Sequence, residues 1–332
     1  MLDYLTEVHE NIYLAEIPLK GNPLKSINIY IVKTDKGNLI IDTGFNTDEI
    51  LDLTRGFIKD LDLDIEKTSL FLTHLHSDHT GLVNFYDDLG VKIYMGEVDG
   101  ALHRDFMERY GNHWPKIESY GHMQGLDIDD LKIEDHPGFK YRPRKKFEYT
   151  PVNPGDHIEL DTFDFEILDL SGHTPGMIGL YDKNKSILFC GDHILGKITP
   201  NIQFWGFDVG DSLGTYLSNL DKIKELNVKH LFSSHRFLVD DVNARIEDLK
   251  QHHRYRLDEA TKAITEKDCT VRDVTKALQW DISAKNWDEF PKSQKWFAAG
   301  EAHSHLEHLR ALGIADYYED DNGVLHYFLV KN

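Results

Sequence analysis

The chain is poor in cysteine, proline and positive charge, and each shortage excludes a class of protein. Two cysteines among 332 residues give no disulfide framework and fit a reducing compartment. Ten prolines and the absence of low-complexity tracts indicate an ordinary folded chain. Its 37 Lys and Arg are set against 57 Asp and Glu, a formal charge of −20, which argues against binding a nucleic acid or an anionic membrane through bulk charge.

Long apolar runs are also missing. No stretch approaches the roughly 18 residues that a membrane span needs. The first ten residues carry two Glu and one Asp and no Lys or Arg, which is not the pattern of a secretory signal. We therefore expect a soluble, cytoplasmic protein with no membrane partner. Histidine, in contrast, is abundant at 19 residues, and it is the commonest metal ligand.

Two β-rich halves separated by an insertion account for the first 240 residues. Each half contains short apolar strands, and in each half a strand runs into an acidic turn, at residues 40–44 and 188–192. This pattern predicts an α/β fold with two stacked sheets flanked by helices. Residues 96–155 are rich in aromatic side chains and Met, and they form either an active-site lid or a plain covering layer.

The last 90 residues have a different character and predict a second domain. Their order is helix, helix, helix, hairpin, which is the order of a winged-helix module. An amphipathic pattern predicts a helix over 246–264, and Thr270 with Asp273 forms the capping box of a second helix. A further helix is predicted over 300–312, and Asn322 with Gly323 forms the turn of the hairpin. We therefore predict a catalytic domain over 1–242 and a helical, winged-helix-like domain over 243–332.

The strongest motif is His-Leu-His-Ser-Asp-His at residues 74–79. Two histidines two residues apart at the end of a strand point to the same side, and the Asp and His that open the next helix, predicted over 79–89, reach a second point nearby. Two metal ions need more donors than these four residues. Three further strands are followed by suitable side chains, at residues 171–176, 191–193 and 233–235.

These motifs resemble those of the metallo-β-lactamase fold superfamily. The H-x-H-x-D-H signature matches residues 74–79, and the resemblance extends over roughly residues 8–240. It implies a four-layer αββα sandwich that binds two divalent metal ions, zinc in the first place, with iron and manganese as alternatives. It also implies the roles of individual residues: His74, His76 and His173 on the first metal, Asp78, His79 and His235 on the second, Asp192 bridging both, and Asp42 supporting a ligand histidine.

The implied chemistry is hydrolysis. Two neighbouring cations would turn a bridging water into a hydroxide nucleophile, and the catalytic carboxylates Asp78 and Asp192 would orient it and accept a proton. We therefore predict a dinuclear metal-dependent hydrolase of a small ester, thioester or lactone. Two alternatives stay open: a metal-dependent phosphodiesterase or endoribonuclease, and a mononuclear iron persulfide dioxygenase.

The overall pattern is most similar to the LACTB2-like group, which joins this fold to a C-terminal winged helix. β-Lactamases of the superfamily usually place a cysteine where this chain has Asp192, so antibiotic hydrolysis is not expected. Some relatives of the LACTB2-like group cleave RNA. Residues 301–332, however, hold two Lys or Arg against six Asp or Glu, so a nucleic-acid partner is not expected. The tail should instead pack on the catalytic domain, close the pocket or form a homodimer.

Candidate substrate-binding residues lie in two segments. Residues 140–146 carry five positive charges, among them Arg142 and Arg144. They either steer a small anionic substrate or form a solvated loop balanced by the acidic residues 127–130. Trp205, in the loop after Asp192, is either a pocket wall or plain core packing.

Overall fold

Seven strands form a sheet whose order follows the chain. In the computed structural model, which describes residues 4–107, 113–282 and 284–331, strands β1 to β4 are antiparallel and β4 to β7 are parallel. The strands are β1 Leu5–His9, β2 Ile12–Pro18, β3 Ser26–Lys33, β4 Asn38–Ile41, β5 Thr68–Leu72, β6 Lys92–Gly96 and β7 Thr150–Val152. The parallel strands β4 to β7, which form one half of the sheet, bring their carboxyl ends to one edge.

A second sheet packs face to face on the first. Its strands are β8 His157–Leu160, β9 Phe163–Asp169, β10 Ile178–Asp182, β11 Ile187–Gly191 and β12 His230–Ser233, in the order β12-β11-β10-β9-β8. The core between the sheets combines side chains of the first, such as Tyr30 and Phe71, with side chains of the second, such as Phe165 and Phe189. Strands β11 and β12 are parallel, so their carboxyl ends also share an edge.

Helices cover the outer faces of both sheets and complete the four layers. On the first sheet lie α1 Asp48–Asp60, α2 Ser77–Thr80 and α3 Val83–Asp88; the insertion supplies α4 Glu97–Met107, α5 His113–Met123 and α6 Pro137–Lys140; α7 Ser212–Glu225 covers the second sheet. The predicted αββα sandwich is confirmed. Tyr110, one of the aromatic side chains of the insertion, lies outside the described residues.

One helix predicted over residues 79–89 is two helices in the structure. The helix is interrupted at Gly81 and Leu82 because the Leu82 N–H donates to the Gly44 carbonyl, 3.2 Å away, instead of to a carbonyl of the preceding helical turn. A Cβ on Gly81 would come within 2.6 Å of the same carbonyl. The break therefore allows the turn after β4 to lie directly against the metal-ligand motif.

The C-terminal region has the predicted order of three helices and a hairpin. Its elements are α8 Val242–Glu266, β13 Cys269–Thr270, α9 Val271–Ala277, α10 Lys292–Ala311, β14 Ala315–Glu319 and β15 Leu325–Leu329. The capping box of Thr270 and Asp273 is present. Ile246 and Leu249 of α8 share a core with α7, so this region packs on the second sheet's helix layer. No helix of the described ranges is both long enough and apolar enough to cross a membrane.

A buried ion cluster ties the insertion to the C-terminal helices. Asp129 accepts hydrogen bonds from Arg272 (2.7 Å), Trp287 (2.7 Å) and Lys295 (2.9 Å), and its side chain is 3% exposed. The expected balance between the acidic residues 127–130 and the basic residues 140–146 is therefore wrong for Asp129. In the basic segment, Lys145 pairs with Asp88 instead.

We predict that Asp129→Asn lowers the free energy of unfolding by about 3 kcal/mol, because it leaves the buried Lys295 and the half-buried Arg272 without their carboxylate. Chemical denaturation measures the change. The matched control is Asp130→Asn: Asp130 is 80% exposed and pairs with Lys292, so this change should leave the free energy of unfolding almost unaltered. Equal losses in the two variants would contradict the role given to Asp129.

Candidate metal centre

The predicted ligands follow strands that end at one edge of the sandwich. Asp42 comes directly after β4, and His74 is the second residue after β5. Asp192 and His235 follow the parallel strands β11 and β12, while His173 lies in the turn between β9 and β10. Since the carboxyl ends of these strands meet at one edge, side chains from five separate parts of the chain converge there.

Three histidines form the first group of donors. His76 Nδ1 lies 3.1 Å from His74 Nε2 and 3.0 Å from His173 Nε2. His173 Nδ1 donates to the Asn201 carbonyl at 2.8 Å, which leaves its Nε2 facing the group. Burial lowers the pKa of all three rings, that of His76 to about 3, so each presents the neutral form that a metal ion requires.

Asp78, His79 and His235 form the second group. His79 Nδ1 donates to Asp42 at 2.7 Å, and His235 Nδ1 donates to the Ser26 carbonyl at 2.7 Å. Both rings therefore turn Nε2 inward, where His235 Nε2 lies 3.4 Å from Asp78 Oδ2. Each of these Nε2 atoms is buried and has no hydrogen-bond partner within the described part of the chain.

Asp192 lies between the two groups. Its Oδ2 is 3.6 Å from His173 Nε2, and its Oδ1 is 3.5 Å from His79 Nε2 and 3.3 Å from His235 Nε2. Burial disfavours a charged imidazole, but the Asp192 and Asp78 carboxylates outweigh burial and raise the pKa of His235 to about 10. The buried carboxylates of the centre thus favour positive charge beside them, which a divalent cation in each group would supply in place of the imidazole protons.

The structure adds Asp99, which the sequence did not single out. Asp99 is fully buried at the start of α4, and it accepts hydrogen bonds from the Leu75 N–H (3.0 Å), the Thr174 hydroxyl (2.6 Å) and the Gly176 N–H (2.6 Å). Burial raises its pKa to about 6. This one carboxylate joins the loop of His74 and His76 to the loop of His173. Its sequence signal, an acid three residues beyond β6, is too common to be read without the fold.

A second unpredicted connection reaches the centre from the C-terminal helices. Asn201, whose carbonyl orients His173, also donates from Nδ2 to Glu301 of α10 at 2.8 Å. Glu301 is buried, and its other oxygen faces His252 and Arg256 of α8 at 3.9 and 3.8 Å. The position of a first-group histidine therefore depends on residues about 100 positions further along the chain.

The centre opens into a cleft of about 880 Å³, whose wall includes His76, Asp78, His173 and Asp192. A smaller cavity of about 80 Å³ adjoins it, and Trp205 and Arg142 line this cavity. Trp205 lies against His76, with the ring centroids 6.0 Å apart, and donates to the His173 carbonyl at 3.0 Å. Arg144 is exposed and lies outside both walls as far as the described residues define them, so the structure does not bring it to the site.

Comparisons with known proteins agree with this geometry. The family model described as "Metallo-beta-lactamase superfamily" matches residues 22–235, which is more than half of the chain. The chain belongs to the metallo-beta-lactamase superfamily. This superfamily comprises metal-dependent hydrolases, and the two donor groups found here are groups that could hold a metal ion.

The relatives include a beta-lactamase-like protein 2 homolog of Caenorhabditis elegans, whose sequence is 24% identical to this chain over 78% of this chain and 72% of that protein. The lactamase-like protein adaB of Aspergillus niger is 24% identical over 74% of this chain and 62% of its own length. Two solved structures cover 98% of the chain. They are a metallo-beta-lactamase family protein of Thermus thermophilus (TM-score 0.81, 23% identity, all of that chain) and a beta-lactamase domain protein of Burkholderia ambifaria (0.78, 22%, 93%). They establish the fold alone.

We predict that Asp42→Asn weakens zinc binding at the second group by about 10- to 100-fold. The Asn oxygen still accepts from the Thr73 N–H, as Asp42 Oδ1 does at 2.9 Å. The amide nitrogen, however, cannot accept from His79 Nδ1, so the ring shifts its proton to Nε2 and loses its inward lone pair. Competition with a chromophoric chelator measures the affinity.

The matched control for that experiment is Asp62→Asn. Both aspartates have a left-handed backbone, with φ of 65° at Asp42 and 49° at Asp62, and Asn tolerates this conformation. Asp62 is exposed, so its variant should bind zinc as the unmodified chain does. If Asp42→Asn also kept full affinity for two ions, the supporting role of Asp42 would be wrong.

Proposed function

We propose that this protein is a dinuclear metal-dependent hydrolase that acts on a small ester, thioester or lactone. The observation that carries the proposal is the position of Asp192 between two complete donor groups, at the wall of a cleft large enough for a small-molecule substrate. A second group of three donors beside the first favours two ions over the single iron of a persulfide dioxygenase.

In this proposal His74, His76 and His173 would hold one cation, Asp78, His79 and His235 would hold the other, and Asp192, which lies between the two groups, would serve both. Nitrogen and carboxylate donors suit zinc, and also iron or manganese. Bound cations would supply Lewis acidity that makes water acidic near neutral pH and polarises a carbonyl oxygen.

A serine or cysteine nucleophile is not required. Cys190, the cysteine near the centre, is buried with its pKa raised by burial to about 12, which makes it inert.

The chain's own groups position the reactants. Asp78 and Asp192 both reach the cleft, so their carboxylates can orient the attacking water and accept its proton. Asp42, Asp99 and Asn201 keep the donors in place through the contacts described above.

The charges of the cleft favour a small substrate over a nucleic acid. Lys20 and Arg256 line the cleft, but Lys20 pairs with Glu49 at 2.5 Å and Arg256 lies beside Glu259 and Glu301 at 3.3 and 3.8 Å. Asp135 and Asp281 add further acid to the wall. Lys140 and Lys197 also line the cleft, over the Tyr141 and Phe237 rings, but the described wall holds six carboxylates against four Lys or Arg side chains. Affinity for a phosphate backbone comes instead from a clear excess of clustered cations. We therefore rank phosphodiester cleavage second.

Elemental analysis and a substrate panel test the proposal. The zinc-loaded protein should hold close to two ions per chain and should hydrolyse at least one aryl ester, thioester or lactone. His76→Ala and Asp192→Asn should each lower kcat by at least about 100-fold, because each removes a donor that positions a cation. His157→Ala, which changes an exposed histidine paired with Asp164, should keep full activity.

Other outcomes separate the alternatives. Cleavage of bis(p-nitrophenyl) phosphate and RNA without any ester turnover would replace this proposal with a phosphodiesterase. One iron per chain with oxygen uptake on a persulfide would replace it with a dioxygenase. Full ester activity in either ligand variant would reject metal-dependent hydrolysis at this site.

A further inference from the structure

The small cavity beside the metal centre is walled mainly by aromatic rings. Three segments contribute them: helices α4 and α5 of the insertion, the loop after β11, and helix α10. The rings are those of Phe106, Trp114, Tyr120, Phe204, Trp205 and Trp296. The cavity has a volume of about 80 Å³ and shares five residues with the wall of the larger cleft, namely His76, Ser77, His136, Gly138 and Gln203.

Four of these rings carry a polar end, and hydrogen bonding occupies three of the four; the buried Trp296 Nε1–H has no partner among the described residues. The Trp114 Nε1–H donates to the Phe106 carbonyl at 3.1 Å, the Tyr120 hydroxyl to the Trp205 carbonyl at 3.1 Å, and the Trp205 Nε1–H to the His173 carbonyl at 3.0 Å. The polar ends of these three rings are thus occupied by the backbone. The ring faces that remain would gain free energy by burying an apolar group.

The charged and titratable groups of the wall do not change this character. His103 and His136 line the cavity, and burial lowers the pKa of each to about 4, so both are neutral at pH 7. Arg142 lies over the Phe139 ring at 3.8 Å and donates to the Phe139 carbonyl. Its guanidinium is therefore held by its own segment.

We infer that the substrate carries a small apolar acyl group, which lies in this aromatic cavity while the rest of the substrate lies in the large cleft. The inference rests on the proposed hydrolase function. A cavity of about 150 Å³ accommodates benzene, so about 80 Å³ accommodates roughly three or four carbon atoms. The acyl side is assigned to the cavity because a leaving group would depart through the wider cleft. His76, a donor of the first group, lines both spaces, so a carbonyl next to the acyl chain would lie beside the metal centre.

A series of p-nitrophenyl esters tests the size of the acyl group in the zinc-loaded protein. The value of kcat/KM should be highest for butyryl, with acetyl and octanoyl lower by roughly tenfold or more. Ile117→Phe fills the cavity and should move the optimum to acetyl, whereas Trp114→Leu enlarges it and should move the optimum to longer chains. Ile128→Phe is the matched control, since Ile128 is 76% exposed on the same insertion, and it should leave the profile unchanged.

Binding of butyramide to the metal-free protein, followed by tryptophan fluorescence, gives a readout that needs no turnover. The Ile117→Phe change should weaken this binding roughly tenfold and the Ile128→Phe change should not. If no ester is hydrolysed but butyramide binds in this way, the proposed function fails and the cavity assignment stands. A flat acyl profile, a preference for succinyl over butyryl, selectivity on the alcohol side alone, or butyramide binding that Ile117→Phe leaves unchanged would overturn the inference.

Discussion

The rest of the structure is organised around one unfavourable feature: two carboxylates and several inward-facing imidazole nitrogens are buried at a single point. Asp192 has an oxygen on each side of this point. His79 and His235 direct into it Nε2 atoms that have no hydrogen-bond partner among the described residues. Such a cluster is unfavourable unless positive charge neutralises it, because buried polar atoms without partners cost several kcal/mol in total. The surrounding fold supplies the opposing stability. Its two sheets bring the strand ends together, and its buried core holds them there.

The supports of the centre extend well beyond the motif. Asp99 links two ligand loops to each other through three hydrogen bonds. Asn201 accepts a hydrogen bond from His173 and donates one to Glu301 in α10, so it connects the ligand to that helix. The C-terminal helices therefore contribute to the site as well as to the outer surface. Arg256 of α8 lines the cleft and Trp296 of α10 lines the aromatic cavity, so the C-terminal helices would help to enclose the substrate.

The sequence predicted the sandwich and the converging donors because both depend on local signals. Apolar strand-length runs ending in His or Asp are visible at residues 70–79 and 188–192, and parallel strands bring such ends together. The supports were not predictable in the same way. Asn201 and Glu301 are 100 positions apart, and only the folded chain places them at 2.8 Å. Asp129 likewise binds Arg272 and Lys295, whereas sequence proximity had suggested the basic residues 140–146.

Anomalous diffraction from crystals saturated with zinc, recorded at the zinc absorption edge, tests the central claim most directly. We expect two zinc peaks in each chain. One should lie among His74, His76 and His173, the other among Asp78, His79 and His235, with Asp192 in contact with both. A single peak at saturation, or peaks that Asp192 does not touch, would contradict it.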